Sequence, residues 1–249
     1  MRTLILISFM FLASCSGTRN NDEQTLKDIF NQAMDNLENG KYLQAQSNFK
    51  NVLIRGTGTD LGDDAQYFLG ESYFRNKEYL LAIAEYEKLT RKMGYSPFVE
   101  DARFKICEAY KIESPKYYHD QEYTLKALER YQEFLDDYPN SILLDDVLAS
   151  MYTLRDKLAK KAFETGILYM KMEEYESAKL SFQIVIDKFY DTSYLVPSKK
   201  EMVLALAKNK EVDVAITFLE LNKALLIEKD LYNEAQEAID HINSKLSKE

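Results

Sequence analysis

Three residues near the middle of the chain, His119, Asp120 and Glu122, have the side-chain types of a metal site or an acid–base pair. Metal sites usually need three or four ligands, and the only other histidine is His241. The sequence contains no Ser-His or Cys-His arrangement with a third orienting group. We therefore expect no enzyme, no metal and no other cofactor, and we interpret the stretch as a spacer loop that begins at Ser114.

The strongest local signal is Cys15, which follows a short apolar run at residues 4–12. Arg2 in front of this run and small residues behind it are typical of a secretory signal peptide. The run is too short for a stable membrane span. An ordinary signal peptide in which Cys15 has no role is one interpretation.

The sequence LASC that ends at Cys15 resembles the bacterial lipobox. This resemblance implies that Cys15 carries a covalent lipid and becomes the mature N-terminus. Two or three acyl chains anchor a protein firmly in a membrane. Since Ser16 replaces the aspartate of an inner-membrane retention signal, we expect an anchor in the outer membrane, facing the periplasm. Cys107 then remains as a lone thiol, and we expect it in the core.

The composition predicts an all-α protein that does not bind nucleic acid. Glycine (8) and proline (4) are scarce among 249 residues, and helix-forming residues are plentiful. The formal charge is −9, whereas binding to phosphate backbones needs a basic face.

A repeated pattern of small and large residues covers most of the chain. An alanine is followed four residues later by a ring in four segments and by isoleucine in a fifth. A small residue lets two antiparallel helices approach, and the large side chain fills the space beside it. The pattern resembles the tetratricopeptide repeat and predicts a superhelix of about five helix pairs. The alanine pairs are Ala45–Phe49, Ala82–Tyr86, Ala127–Tyr131, Ala178–Phe182 and Ala235–Ile239.

The spacing of the alanines shows where residues are inserted. Successive intervals are 37, 45, 51 and 57 residues, so the last three exceed 37 by 8, 14 and 20. We predict a helix from Leu143 to Met170, and a lengthened helix or a helix pair between Ser198 and Glu228. The predicted parts are a signal peptide (1–14), an acylated N-terminus and flexible linker (15–25), repeats 1 and 2 with the first helix of repeat 3 (26–112), an inserted loop (113–123), the rest of repeat 3 with the long-helix repeat 4 (124–195) and a degenerate fifth repeat (196–249).

Two segments, 113–141 and 154–194, resemble the BamD-like tetratricopeptide lipoproteins of the outer-membrane β-barrel assembly machinery. The shared elements are Ser-Pro, Asp-Gln and Tyr-Thr in the first segment and the helix around Arg155 in the second. The resemblance implies a scaffold with three partners: unfolded β-barrel proteins at the N-terminal repeats, a periplasmic domain of the barrel-forming core subunit at the C-terminal repeats, and other assembly lipoproteins. Residues 205–228 match poorly.

The first helix of each pair is where a repeat protein presents a binding groove. Laying the 37-residue frame on the first three pairs predicts an aromatic column with flanking charges that grips extended peptide. The same rings could instead pack between neighbouring helices and never meet a ligand. The aligned residues are Phe30, Met34 and Leu37 in the first pair, Tyr67, Glu71 and Phe74 in the second, and Phe104, Glu108 and Lys111 in the third.

Two other functions fit the same sequence. A different envelope lipoprotein, such as an adaptor in cell division, would have other partners. A module that binds peptidoglycan or another glycan would need stacking rings, and the chain has 18 tyrosines but no tryptophan.

Overall fold

The computed structural model describes residues 25–56 and 58–246, and within that part no strand forms. The signal peptide and Cys15 lie outside the described residues. Short turns join the helices into antiparallel neighbours, which confirms the predicted all-α repeat fold. The helices are α1 (Leu26–Glu38), α2 (Tyr42–Arg55), α3 (Asp60–Arg75), α4 (Tyr79–Lys92), α5 (Val99–Glu113), α6 (Glu122–Asp137), α7 (Leu144–Lys171), α8 (Tyr175–Lys188), α9 (Leu195–Lys208), α10 (Val212–Leu221), α11 (Lys223–Glu228) and α12 (Tyr232–Leu246).

The alanine-and-ring pattern forms the core of each helix pair. Ala45, Ala82, Ala127 and Ala178 are completely buried, as are the four rings that follow them. The facing helix contributes a small residue at the same level, and in α3 and α7 it is a glycine. A Cβ atom on Gly70 would lie 2.5 Å from the ring of Tyr86. Contact as close as this requires the absence of a side chain.

The turn inside each pair also follows the 37-residue frame. Positive φ angles, between 61° and 71°, occur at the equivalent position in four pairs: Gly40, Lys77, Glu173 and Lys210. The equivalent position in the third pair is Ser114, whose φ is −63° and whose backbone is extended. The inserted loop therefore replaces the tight turn of the other pairs.

The C-terminal region contains one ordinary pair that the alanine-and-ring pattern misses. Ala215 of α10 lies 37 residues after Ala178 and is completely buried. Leu219 stands where the other pairs have a ring, so the aromatic signal is absent. The predicted fifth repeat, Ala235 with Ile239, lies in α12, which packs on α9 after the short helix α11. The interval from 198 to 228 contains most of α9, which begins at Leu195, and all of α10 and α11. The predicted helix pair therefore forms as α9 and α10, and the alternative of one lengthened helix does not.

Helix α7 has 28 residues, as predicted, and it connects two parts of the core. Its Leu154 packs with side chains of α5 and α6. Its Met170 packs with those of α8 and the helices that follow. A single rigid helix therefore sets the position of the C-terminal pairs relative to the first three.

An ion pair links α7 to the turn after α8. The Nε and Nη2 atoms of Arg155 donate to the two carboxylate oxygens of Asp191 at 2.7 and 2.6 Å, and Nη2 also donates to the carbonyl of Lys188 at 2.7 Å. The hydrogen bonds from Arg155 hold the pKa of Asp191 below its ordinary value. A depressed carboxyl pKa stabilises the fold above the unfolded-state pKa, about 3.9, and the gain disappears as pH falls through the folded value.

Arg155→Gln is therefore expected to lower the free energy of unfolding at pH 7 by less than about 1 kcal/mol, because both partners are partly exposed. The difference from wild type should shrink as pH falls from 5 to 2. Urea unfolding followed by circular dichroism measures it, with Lys171→Gln, an exposed lysine outside any ion pair between described residues, as the control. A pH-independent difference would contradict the assigned role of the pair.

Candidate functional site

A polar groove lies between α5 and α7 and brings together three of the predicted groove residues. Its volume is about 400 Å³. We call it the α5–α7 groove. It is lined by Phe104, Glu108 and Lys111 on α5 and by Asp146, Ala149, Ser150 and Thr153 on α7.

Two charged side chains and an aromatic ring are held in place on the α5 side of this groove. The Glu108 carboxylate accepts a hydrogen bond from the hydroxyl of Tyr131 and lies 3.2 Å from the Lys111 ammonium. Lys111 also donates to Ser150 Oγ at 2.7 Å, across the groove. The ring of Phe104 is held by an edge-on contact with the core. A carboxylate, an ammonium and a ring therefore stand in one row, which suits an extended peptide with polar and aromatic side chains.

A second cluster of predicted residues joins α3 to α5. Glu71 is 5% exposed and accepts a hydrogen bond from the Tyr86 hydroxyl at 2.6 Å. The ammonium of Lys105 lies 3.3 Å from the Glu71 carboxylate and 4.8 Å from the ring centre of Phe74. Burial, together with the Glu71 charge, raises the pKa of Tyr86. The hydroxyl consequently stays protonated and donates to Glu71.

The remaining predicted groove residues lie in the N-terminal core. Leu37 and Tyr67 are 2% and 8% exposed, and the Tyr67 ring stacks on Phe98 at 4.5 Å. Phe30 and Met34 are half-buried and pack against the same core. These four residues follow the packing alternative and do not reach the α5–α7 groove.

The residues that the repeat frame did not indicate are Lys105 and the α7 side of the groove. Lys105 occupies the position of Asn31 and Phe68 in the two preceding pairs, so this position of the frame has no consistent residue type. Ser150 and its neighbours lie in the N-terminal half of α7, which the 37-residue frame does not cover. Only the length of α7 could have indicated that a second wall exists.

The side chains of His119, Asp120 and Glu122 make separate local contacts. Asp120 accepts a hydrogen bond from the backbone N–H of Glu122 at 2.8 Å, at the start of α6. Glu122 pairs with Lys126, and the exposed His119 contacts the ring of Tyr118. No group of three or more metal-ligating side chains occurs in the described part of the chain.

The thiol of Cys107 is buried, as predicted. Cys107 is 1% exposed and occupies the small-residue position of α5, and its Sγ donates to the carbonyl of Arg103 at 3.2 Å. Burial raises the pKa of the thiol, which removes its nucleophilic form at neutral pH.

An apolar groove of about 300 Å³ lies in the C-terminal part of the chain, between α8, α9 and α10. We call it the α8–α10 groove and define it by Leu180, Met202, Leu206, Val214 and Phe218. Leu180 and Val214 are 70% and 52% exposed. Exposed aliphatic side chains beside an apolar cleft are a feature of protein-binding surfaces.

The chain is similar to known proteins in sequence and in fold. The chain is 21% identical over 208 residues to an outer membrane protein assembly factor BamD of Rickettsia prowazekii, covering 80% of each chain. It is 24% identical over 228 residues to a protein of the same name in Neisseria meningitidis serogroup A, covering 83% of this chain and 84% of the relative. The solved TPR domain of P58(IPK) aligns with a TM-score of 0.44 at 17% identity, covering 90% of this chain and 64% of that one.

No helix within residues 25–56 and 58–246 combines the length and the apolar character that a membrane span needs. The family model described as YfiO, outer membrane lipoprotein, matches residues 22–217. That range includes the α5–α7 groove, the α8–α10 groove except Phe218, and most of the helices. The chain therefore belongs to the YfiO family of outer membrane lipoproteins.

Proposed function

We propose that this protein is a non-catalytic scaffold of outer-membrane β-barrel assembly. In this proposal it is anchored by a lipid on Cys15, faces the periplasm, and promotes folding and insertion of barrel proteins. The α5–α7 groove is the observation that carries the proposal, and the curated relatives are named as assembly factors. Binding two partners at once on a membrane-tethered scaffold raises their effective concentration without bond chemistry.

The α5–α7 groove is proposed to hold segments of unfolded barrel proteins. Such segments are strands of about ten residues in which apolar and polar side chains alternate. Alternation places neighbouring side chains on opposite faces. The apolar set would contact Phe104, and the polar set would contact the Glu108–Lys111 pair.

The α8–α10 groove is proposed to dock a periplasmic domain of the barrel-forming core subunit. It is separated from the α5–α7 groove along the rigid helix α7, so both partners can be bound together. Leu180 and Val214 are already partly buried, so docking that covers them would contribute up to about 1.5 kcal/mol each. Accessory assembly lipoproteins are further proposed partners.

Cys15→Ala is expected to release the protein from the outer membrane, because the thioether that carries the lipid cannot form. Fractionation of the envelope and intact-mass measurement of the mature chain test this prediction. Cys107→Ala is the matched control and should leave both the lipid mass and the membrane fraction unchanged. A Cys15→Ala protein that still carries lipid would contradict the anchor.

Ala149→Arg is expected to weaken binding of a ten-residue peptide with alternating aromatic and polar residues by about tenfold, equivalent to about 1.4 kcal/mol. The arginine would project into the α5–α7 groove. Leu148→Arg is the matched control, since Leu148 is an exposed neighbour on the same helix outside the groove lining. Fluorescence anisotropy gives the Kd values. Equal binding by the two variants would show that the peptide binds elsewhere.

A further inference from the structure

The loop that replaces the tight turn of the third pair is a rigid structure. The side-chain amide of Gln121 donates to the carbonyls of Lys116, Tyr117 and His119 at 2.9, 3.3 and 3.0 Å. Gln121 is 7% exposed, so it is fixed in turn by the protein around it. The two N–H groups of one buried side chain are therefore shared among three of the four carbonyls of residues 116–119.

Two lysines of α7 also hold this loop in place by hydrogen bonds. Lys161 Nζ donates to the carbonyl of His119 at 2.7 Å, and Lys157 Nζ donates to Ser114 Oγ at 2.7 Å. A loop that served only as a spacer would not need this many bonds between distant elements. These hydrogen bonds offset the conformational entropy that is lost when the loop is ordered. They also fix its outward-facing side chains before a partner binds.

The loop presents aromatic rings to solvent. The side chain of Tyr118 is 58% exposed. Its ring lies 5.3 Å from that of Tyr117 and 4.5 Å from the imidazole of His119. Preordered tyrosines with little entropy left to lose are typical anchors of protein interfaces.

Positive charge surrounds these rings in a chain whose net charge is −9. Lys160 Nζ lies 4.7 Å above the Tyr117 ring, Lys161 contacts the loop backbone, and Lys116 is exposed on the loop itself. Among the described residues none of these three lysines forms an ion pair within 4 Å, and the contacts given above for Lys160 and Lys161 are with neutral groups. The carboxylates closest to these lysines in the sequence are Asp156 and Glu164, each one helical turn from Lys160, and Asp120 beside the loop. Glu164 and Asp120 are exposed, and Asp156 accepts hydrogen bonds from the backbone N–H and the hydroxyl of Ser193.

We propose that residues 116–119, together with Lys160 and Lys161, form a docking patch for an extended acidic segment of a partner protein. We call it the 116–119 patch. Carboxylates of the segment would meet the three lysines, and its apolar side chains would meet Tyr118. This interaction is separate from the two grooves and does not depend on the proposed assembly role.

An anionic glycan suits the patch less well than a peptide. The Tyr117 and Tyr118 rings are inclined by 85° to one another, and Tyr118 is inclined by 47° to His119. Flat sugar rings need an open aromatic face or a coplanar platform, which this arrangement does not form. A peptide can place carboxylates and apolar groups around inclined rings one residue at a time.

The test uses the full mature chain and a fluorescein-labelled twelve-residue peptide that alternates Glu and Leu. We expect Lys116→Glu with Lys160→Glu to weaken binding at least tenfold, and Tyr118→Ser to weaken it several-fold. Rising salt should weaken wild-type binding, since exposed charges are screened. The matched control is Lys92→Glu with Lys171→Glu, which changes the net charge equally at exposed lysines elsewhere.

Three results would overturn the proposal. The first is that wild type does not bind the peptide, or binds an alternating Lys and Leu peptide equally well. The second is that the control and the patch variant lose the same affinity, which would indicate long-range charge alone. The third is that polygalacturonate, an anionic polysaccharide, binds at the patch while the peptide does not. An unchanged circular dichroism spectrum for each variant excludes misfolding as the cause of weaker peptide binding. Because Tyr118 is exposed, Tyr118→Ser tests the patch independently of the lysine substitutions.

Discussion

Gly166→Ala is expected to lower the free energy of unfolding by about 2 kcal/mol, although alanine is the better helix former by about 1 kcal/mol. The new Cβ would lie 2.5 Å from Cε1 of Phe182 and 2.8 Å from two further ring atoms. Phe182 is completely buried, so its ring cannot move aside without displacing other core residues. Thermal and urea unfolding followed by circular dichroism measure the loss.

A second substitution should reverse this loss. The α9–α10 pair has Val203 and Leu219 at the positions of Gly166 and Phe182, both completely buried. Phe182→Leu alone should destabilise by leaving a cavity, but in the Gly166→Ala background it should restore stability. Gly94→Ala is the control, because no atom lies within 4 Å of the added Cβ. A stabilising Gly166→Ala would contradict the proposed close packing of α7 and α8.

Tyr86→Phe and Glu71→Met are each expected to lower the free energy of unfolding by about 1–3 kcal/mol, while the double variant should lie near wild type. Tyr86→Phe removes the hydroxyl that donates to a buried carboxylate. Glu71→Met leaves a fully buried hydroxyl without its acceptor and removes the partner of Lys105. Together the two changes replace a polar pair by an apolar one of similar volume.

The other helix pairs of this chain show the same correlation between the residue at the ring position and the residue facing it. A tyrosine at the ring position occurs with glutamate on the facing helix, and a phenylalanine or leucine occurs with an aliphatic residue or methionine. A coupling energy near zero in the double-mutant cycle would show that hydroxyl and carboxylate contribute independently. The aligned pairs are Glu71–Tyr86 and Glu108–Tyr131, against Met34–Phe49, Ile167–Phe182 and Leu204–Leu219.

The sequence predicts the helix pairs well because close packing limits which residues can occupy their contacts. A buried alanine with a ring four residues later recurs in α2, α4, α6 and α8, and Cys107 takes the small-residue position of α5. The alanine-and-ring pattern did not identify α10, because Leu219 fills the ring position there. An aliphatic side chain packs adequately there but leaves no aromatic signal.

The groove was less predictable because one periodic pattern serves two purposes. A ring on the first helix of a pair can face a ligand or the next helix, and both fit the 37-residue frame. Tyr67 packs on Phe98, whereas the equivalent Phe104 lines the α5–α7 groove. The difference arises from the inserted loop and the long helix α7, which open a space after the third pair that has no equivalent earlier in the chain.

The most direct test of the scaffold role is to identify what copurifies with the tagged mature protein from envelopes solubilised in mild detergent. The account predicts stoichiometric recovery of a barrel protein with repeated periplasmic domains. Recovery should be lost with Leu180→Glu and Val214→Glu together, and kept with Ile54→Glu, an exposed residue of α2. Recovery of cell-division or peptidoglycan-associated proteins instead would contradict the assembly role, while leaving the helical fold in place.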